Sequence, residues 1–152
     1  MKKYLFIDII SCLFIILFLY TGFSKLLAQD SFRAILIKMP LPIRYQPLIG
    51  VGIPVLEILI AFSLLIPLFK ENNTLRNWGL IGSFFLMAIF TLYVGYLLKY
   101  FPHRPCSCGG IISLMNWHQH LYFNTTFTLL ALSGLILNKK KEGSSRRLSL
   151  TD

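Results

Sequence analysis

The tripeptide Cys106-Ser107-Cys108, followed at once by Gly109-Gly110, is the part of this 152-residue chain best suited to chemistry. Two thiols one residue apart can pass between dithiol and disulfide, or can share a metal ion. A disulfide across a single residue closes a small, strained ring, and strain makes the bond easier to reduce. It also closes almost no chain, so it adds little stability. Both facts suit an exchanging pair better than a structural staple. Arg104 and His103 stand just ahead, and nearby positive charge favours the thiolate, which is the reacting species. Pro102 and Pro105 stiffen the approach, while the two glycines let the backbone turn sharply. Two more histidines follow in Trp117-His118-Gln119-His120. They are two positions apart, so on a helix they face different ways. Either is a candidate proton acceptor for a thiol. The candidate catalytic set is therefore Cys106, Cys108, His118 and His120. The same four residues make a Cys2His2 set whose ligand types suit zinc or copper, although a one-residue Cys spacing is tighter than common zinc sites. A metal-binding or otherwise non-enzymatic membrane subunit is thus the alternative to an oxidoreductase. The remaining cysteine, Cys12, reads as a small buried apolar residue.

The elements that hold this loop are membrane helices. The chain is 55% hydrophobic and only 14% charged, with a mean hydropathy of +0.66. A soluble domain of this size could not hide so much apolar surface. A helix needs about 20 apolar residues to cross the hydrocarbon core. Four segments qualify: Tyr4–Phe23, Leu48–Phe69, Trp78–Leu98 and His118–Leu137. The expected fold is all-α, a polytopic four-helix transmembrane bundle over residues 1–138, with a disordered basic tail over 139–152. The start, Met1-Lys2-Lys3 and then an apolar run, has the form of a signal peptide. The run is long for one and no clear cleavage site follows, so the first helix is expected to stay. Between the first two spans, Phe32, Ile35, Leu36 and Met39 share one face of a short amphipathic helix. Asp30 or Ser31 would cap it, Pro40 and Pro42 would end it, and it would lie flat at the membrane interface.

The net charge of +9 does not indicate nucleic acid, because the basic residues sit at the ends of apolar segments. An even number of spans puts both termini on one side. With cytoplasmic termini, nine Lys and Arg fall inside and six outside, with Lys139-Lys140-Lys141 as the strongest single vote. The expected location is a bacterial inner membrane with the Cys loop on the periplasmic side, where disulfides persist. Within the spans, Glu57 lies deep in the second, where a carboxylate is costly unless paired or protonated. Lys25, near the outer end of the first, is a candidate partner at a loosely matching depth, and a structural ion pair, or a hydrogen bond to Tyr20, Thr21 or Ser24, is the reading preferred over catalysis. Asp8 is given no role.

These residues resemble the MauE/DoxX group of redox-associated membrane proteins over about residues 4–138. Gly22-Phe23-Ser24-Lys25-Leu26 and Pro54-Val55-Leu56-Glu57 are similar to DoxX-like proteins. Cys106-Ser107-Cys108-Gly109-Gly110 ahead of the last helix is similar to MauE-like ones. The resemblance implies a role in maturing disulfide-containing periplasmic proteins beside a thioredoxin-like partner. More distantly, the architecture resembles vitamin K epoxide reductase and DsbB-type bundles, which implies that a quinone is a possible cofactor. This chain departs from those in having a one-residue Cys spacing and no second Cys pair. An internal relay between two pairs is therefore impossible, and electrons must come from or go to another molecule.

Overall fold

The computed structural model describes residues 2–100 and 116–148, and among these it contains helices and no strand. Helix α1 spans Lys2–Leu27, α2 Gln29–Lys38, α3 Gln46–Phe69, α4 Asn73–Tyr100 and α5 Trp117–Leu148, with a 3-10 turn at Ile43–Tyr45. Four helices are long and apolar enough to cross a membrane, over Leu5–Leu27, Ile43–Phe69, Asn73–Tyr100 and His118–Lys139. The chain is a multi-pass membrane protein. Its outer surface agrees: Leu5, Phe6, Ile9, Leu13 and Ile16 are all exposed along one side of α1.

The bundle is a ring in which α1 packs on α3, α3 on α4, α4 on α5, and α5 back on α1. Its two ends differ. At the terminal end lie the N-terminus and the short turn from α3 to α4. At the loop end lie α2, the 3-10 turn, the last turn of α4 and the first turn of α5. The core occupies the terminal half and the middle. Ile7, Ile10, Phe14 and Phe18 recur at helical spacing along the inward stripe of α1. Phe14 meets Phe127 edge-on, with ring centroids 5.4 Å apart. Leu64, Leu80, Met87 and Ala131 complete this layer. Close approach of α3 and α4 depends on glycines. A Cβ on Gly79 would stand 2.6 Å from a Leu64 methyl, and one on Gly82 would stand 3.1 Å from Ile60. Towards the loop end, a Cβ on Gly52 or Gly95 would meet nothing within 4 Å.

Helix starts follow local chemistry. The Asn72 side chain accepts a hydrogen bond from the backbone N–H of Leu75 at 3.0 Å, which starts α4 ahead of the expected Trp78. At α5, the Gln119 side chain reaches back to the N–H of Asn116 at 2.9 Å, the reciprocal half of a capping box. This sets the rotational register of His118 and His120. Helix α2 is present, but neither Asp30 nor Ser31 caps it; its N-cap is Ala28, without a side-chain bond. The reason is continuity. The N–H of Ala28 donates to Ser24 and that of Phe32 to Ala28, so α2 begins directly from the last turn of α1 and Asp30 and Ser31 already lie inside it.

Three further expectations are corrected. Cys12 is exposed, not buried; it stands two residues past Ile10, off the inward stripe, on the side that faces lipid. The stretch expected as a disordered tail is helical as far as Leu148. Its Lys, Glu and Arg residues are good helix formers, and extending a helix already begun needs no new nucleus. Asp8 does have a partner, Arg76, with nitrogen and oxygen 3.4 Å apart. Arg76 is buried and also donates to the Pro67 carbonyl at 3.0 Å. That carbonyl belongs to the last turn of α3, where no intrahelical donor remains.

Candidate functional site

The site is built at a tight contact of α1 with α3 around Gly22. The two helices are antiparallel. A Cβ on Gly22 would stand 3.1 Å from the Pro54 carbonyl, 2.9 Å from Ile58 and 3.5 Å from the Glu57 Cβ. Only glycine allows this approach, and Pro54 shapes the facing surface. Gly22 is therefore level with Glu57, and Lys25, one turn nearer the loop end, bends back to meet it. The Lys25 ammonium donates to the Glu57 carboxylate at 2.5 Å. Gly22 and Lys25 thus oppose Pro54 and Glu57 as two steps of one packed contact, each pair three residues apart in its helix.

The depths are consistent. Glu57 is about 16 Å along α3 from Gln46, and Gly22 is about 8 Å from the end of α1, at 1.5 Å per residue. The start of α3 therefore projects beyond α1 by about two turns. Helix α2 folds back into that step and packs on α3, with Leu36 against Gly50. Its apolar face turns inward onto the bundle, while Arg33 and Lys38 are exposed. Beneath it lies a cavity of about 380 Å³ between α1, α3, α4 and α5, lined by Phe32, Ile35, Leu36 and Met39 of α2 and by apolar residues of the spans.

The polar groups on this cavity are few and concentrated. Lys25, Glu57, Thr21, Tyr93, His120 and Asn124 all line it. The Lys25 ammonium lies over the rings of Phe32 and Phe90, at 5.9 and 5.6 Å from their centroids. Its charge is thus met by one carboxylate and two aromatic faces, which is what an ammonium needs at this depth. Glu57 is 1% exposed and Asn124 is 3% exposed. His120 Nδ1 and Asn124 Nδ2 have no hydrogen-bond partner among the described residues, and the Thr21 hydroxyl, which donates to the Leu17 carbonyl, stands beside the Glu57 carboxylate. His120 and Asn124 are one helical turn apart, and the next turn brings Thr128, whose hydroxyl lies 3.1 Å from that of Thr91 on α4. His120 stands out in the sequence, but not Asn124 and Thr128, which continue its stripe. Its signal was a four-residue repeat of polar groups within an apolar helix.

The structure separates the candidate residues. His120 lines the cavity, whereas His118 is exposed on the other side of α5. Cys106 and Cys108 lie outside the described residues, in the segment that leaves α4 at Tyr100 and rejoins at Asn116. Both of those residues are at the loop end, the same end as α2, Lys25 and His120. Among the described residues, no group of three His, Cys, Asp or Glu side chains is placed to hold a metal ion.

An all-helical membrane bundle, with a buried ion pair and a polar-ended cavity beneath the loop end, defines the class. The chain belongs to the family described as Methylamine utilisation protein MauE, which it matches over residues 3–137. Neither curated proteins nor solved structures give a match.

Proposed function

We propose that this MauE-family protein is a thiol–disulfide exchange protein of a bacterial inner membrane, with both termini cytoplasmic and Cys106 and Cys108 on the periplasmic side. The observation that carries the reading is the Cys-Ser-Cys-Gly-Gly segment, held between the loop-end termini of α4 and α5. A thiolate of one protein attacks the disulfide of the other, forming a mixed disulfide and releasing one thiolate. The second cysteine of the attacking pair then closes its own disulfide and releases the partner as a dithiol. Two electrons and two protons pass in all, and the same steps run in reverse. The partner is a thioredoxin-like or disulfide-containing periplasmic protein, in the setting of methylamine utilisation that the family's description names. A histidine of the α5 start serves as proton acceptor for the thiol, with His118 on the exposed side and His120 on the cavity side.

Cys106→Ser and Cys108→Ser test this directly. One of the two should accumulate a mixed disulfide with a periplasmic protein, lost on reduction, while the bundle assembles as in the wild type. If neither variant traps a partner, and the wild-type protein keeps both thiols reduced around a stoichiometric zinc or copper ion, the metal-binding subunit is the correct reading.

A further inference from the structure

We infer that the cavity beneath α2 binds a membrane amphiphile with a small, uncharged, oxygen-bearing head. The inference stands on the cavity and is independent of the cysteine chemistry. At about 380 Å³ the space falls within the range of small-molecule sites. Most of its wall is apolar, and an apolar cavity of this size is poorly matched to water. Two buried polar atoms on that wall nevertheless lack partners among the described residues: His120 Nδ1 and Asn124 Nδ2. Buried polar groups are normally paired, and leaving one unpaired is costly. Asn124 Nδ2 is a donor in every state, so it calls for an acceptor oxygen. A carbonyl or hydroxyl oxygen on an apolar body supplies one.

The charge balance excludes an anionic head. The Lys25 charge is already met by Glu57, and a second carboxylate or a phosphate here would face the Glu57 carboxylate across a short, poorly screened distance. The route of entry is also visible. Ile89 lines the cavity and is 59% exposed on the flank of α4, so the cavity reaches the lipid-facing surface. Gly52 and Gly95 add no side chain to the open loop-end halves of α3 and α4. A ligand dissolved in the bilayer can therefore enter from the side, with α2 above it. Two sources carry this chemistry: a lipid-soluble ring carbonyl or hydroxyl compound of the quinone type, and a neutral glycerolipid.

The test uses the full chain carrying Cys106→Ser and Cys108→Ser, so that thiol reactions play no part, purified in detergent. It is titrated separately with decyl-benzoquinone, monoolein and oleate, and binding is read by equilibrium dialysis. Saturable one-to-one binding of decyl-benzoquinone or of monoolein is expected, and which of the two binds names the source. Asn124→Leu should weaken that binding about 2- to 10-fold, the equivalent of one hydrogen bond. Ile53→Trp, which places an indole in the cavity, should abolish it. Circular dichroism and elution volume confirm that both variants keep the fold. The inference is overturned if neither neutral probe binds saturably, if oleate alone binds, or if folded Asn124→Leu binds as tightly as the parent.

Discussion

Removing the Lys25 ammonium while leaving Glu57 in place should unfold this bundle more readily than any other single change at the site. In Lys25→Met, a carboxylate that is 1% exposed loses the group 2.5 Å away. Breaking a buried pair from one side typically costs about 3–5 kcal/mol, because the remaining charge is stranded. The reverse change is milder. In Glu57→Leu the ammonium keeps the faces of Phe32 and Phe90, worth about 0.5–1 kcal/mol each, and the Lys25 side chain is 14% exposed. Replacing both partners removes the stranded charge altogether, and apolar replacements of buried pairs are often close to neutral. The double variant Lys25→Met with Glu57→Leu should therefore be more stable than Lys25→Met alone. The sum of the single losses should exceed the double loss by about 2 kcal/mol or more. Reversible unfolding in mixed micelles with increasing sodium dodecyl sulfate, followed by helix circular dichroism, measures all four corners of this cycle. Additive losses would show that the two groups do not stabilise each other, and would refute the ion pair as the element joining α1 to α3.

Gly22→Ala should destabilise by about 1–3 kcal/mol in the same assay, because its Cβ meets a backbone carbonyl that cannot rotate away; Gly52→Ala, in open space, should instead stabilise by about 0.5–1 kcal/mol. Arg76→Leu should cost about 1–3 kcal/mol by stranding the Pro67 carbonyl. Asp8→Asn should change stability by less than about 1 kcal/mol, since that side chain is 40% exposed and its pair with Arg76 is long; equal losses for the two would contradict this division. In intact spheroplasts, after reduction, a membrane-impermeant thiol reagent should label Cys106 and Cys108 from outside. Cys12, facing lipid, should react only with an apolar reagent. Labelling of the loop only after membrane rupture would reverse the orientation.

The spans, and hence the class of protein, were legible in the sequence because bilayer thickness converts directly into a run of apolar residues. So was the need of Glu57 for a polar partner on α1, since a carboxylate in hydrocarbon must be met; the choice of Lys25 among the candidates came from the packing of α1 on α3. The apolar face of α2 was legible from its periodicity. What that face covers was not, because periodicity gives a direction around a helix and not the neighbour found there. Only the tertiary structure, by ending α1 about two turns short of the start of α3, turned α2 inward over a cavity. Cys12 was misread for the same reason, since burial depends on which side of α1 meets α3 and α5. The Arg76 anchor required knowing that the last carbonyls of α3 come within reach of the first turn of α4. The gathering of His120 and Asn124 with Glu57 required the ring order of the helices. These residues are more than 60 positions apart in the chain, and only the packing of α5 against α4 and α1 brings them to one wall.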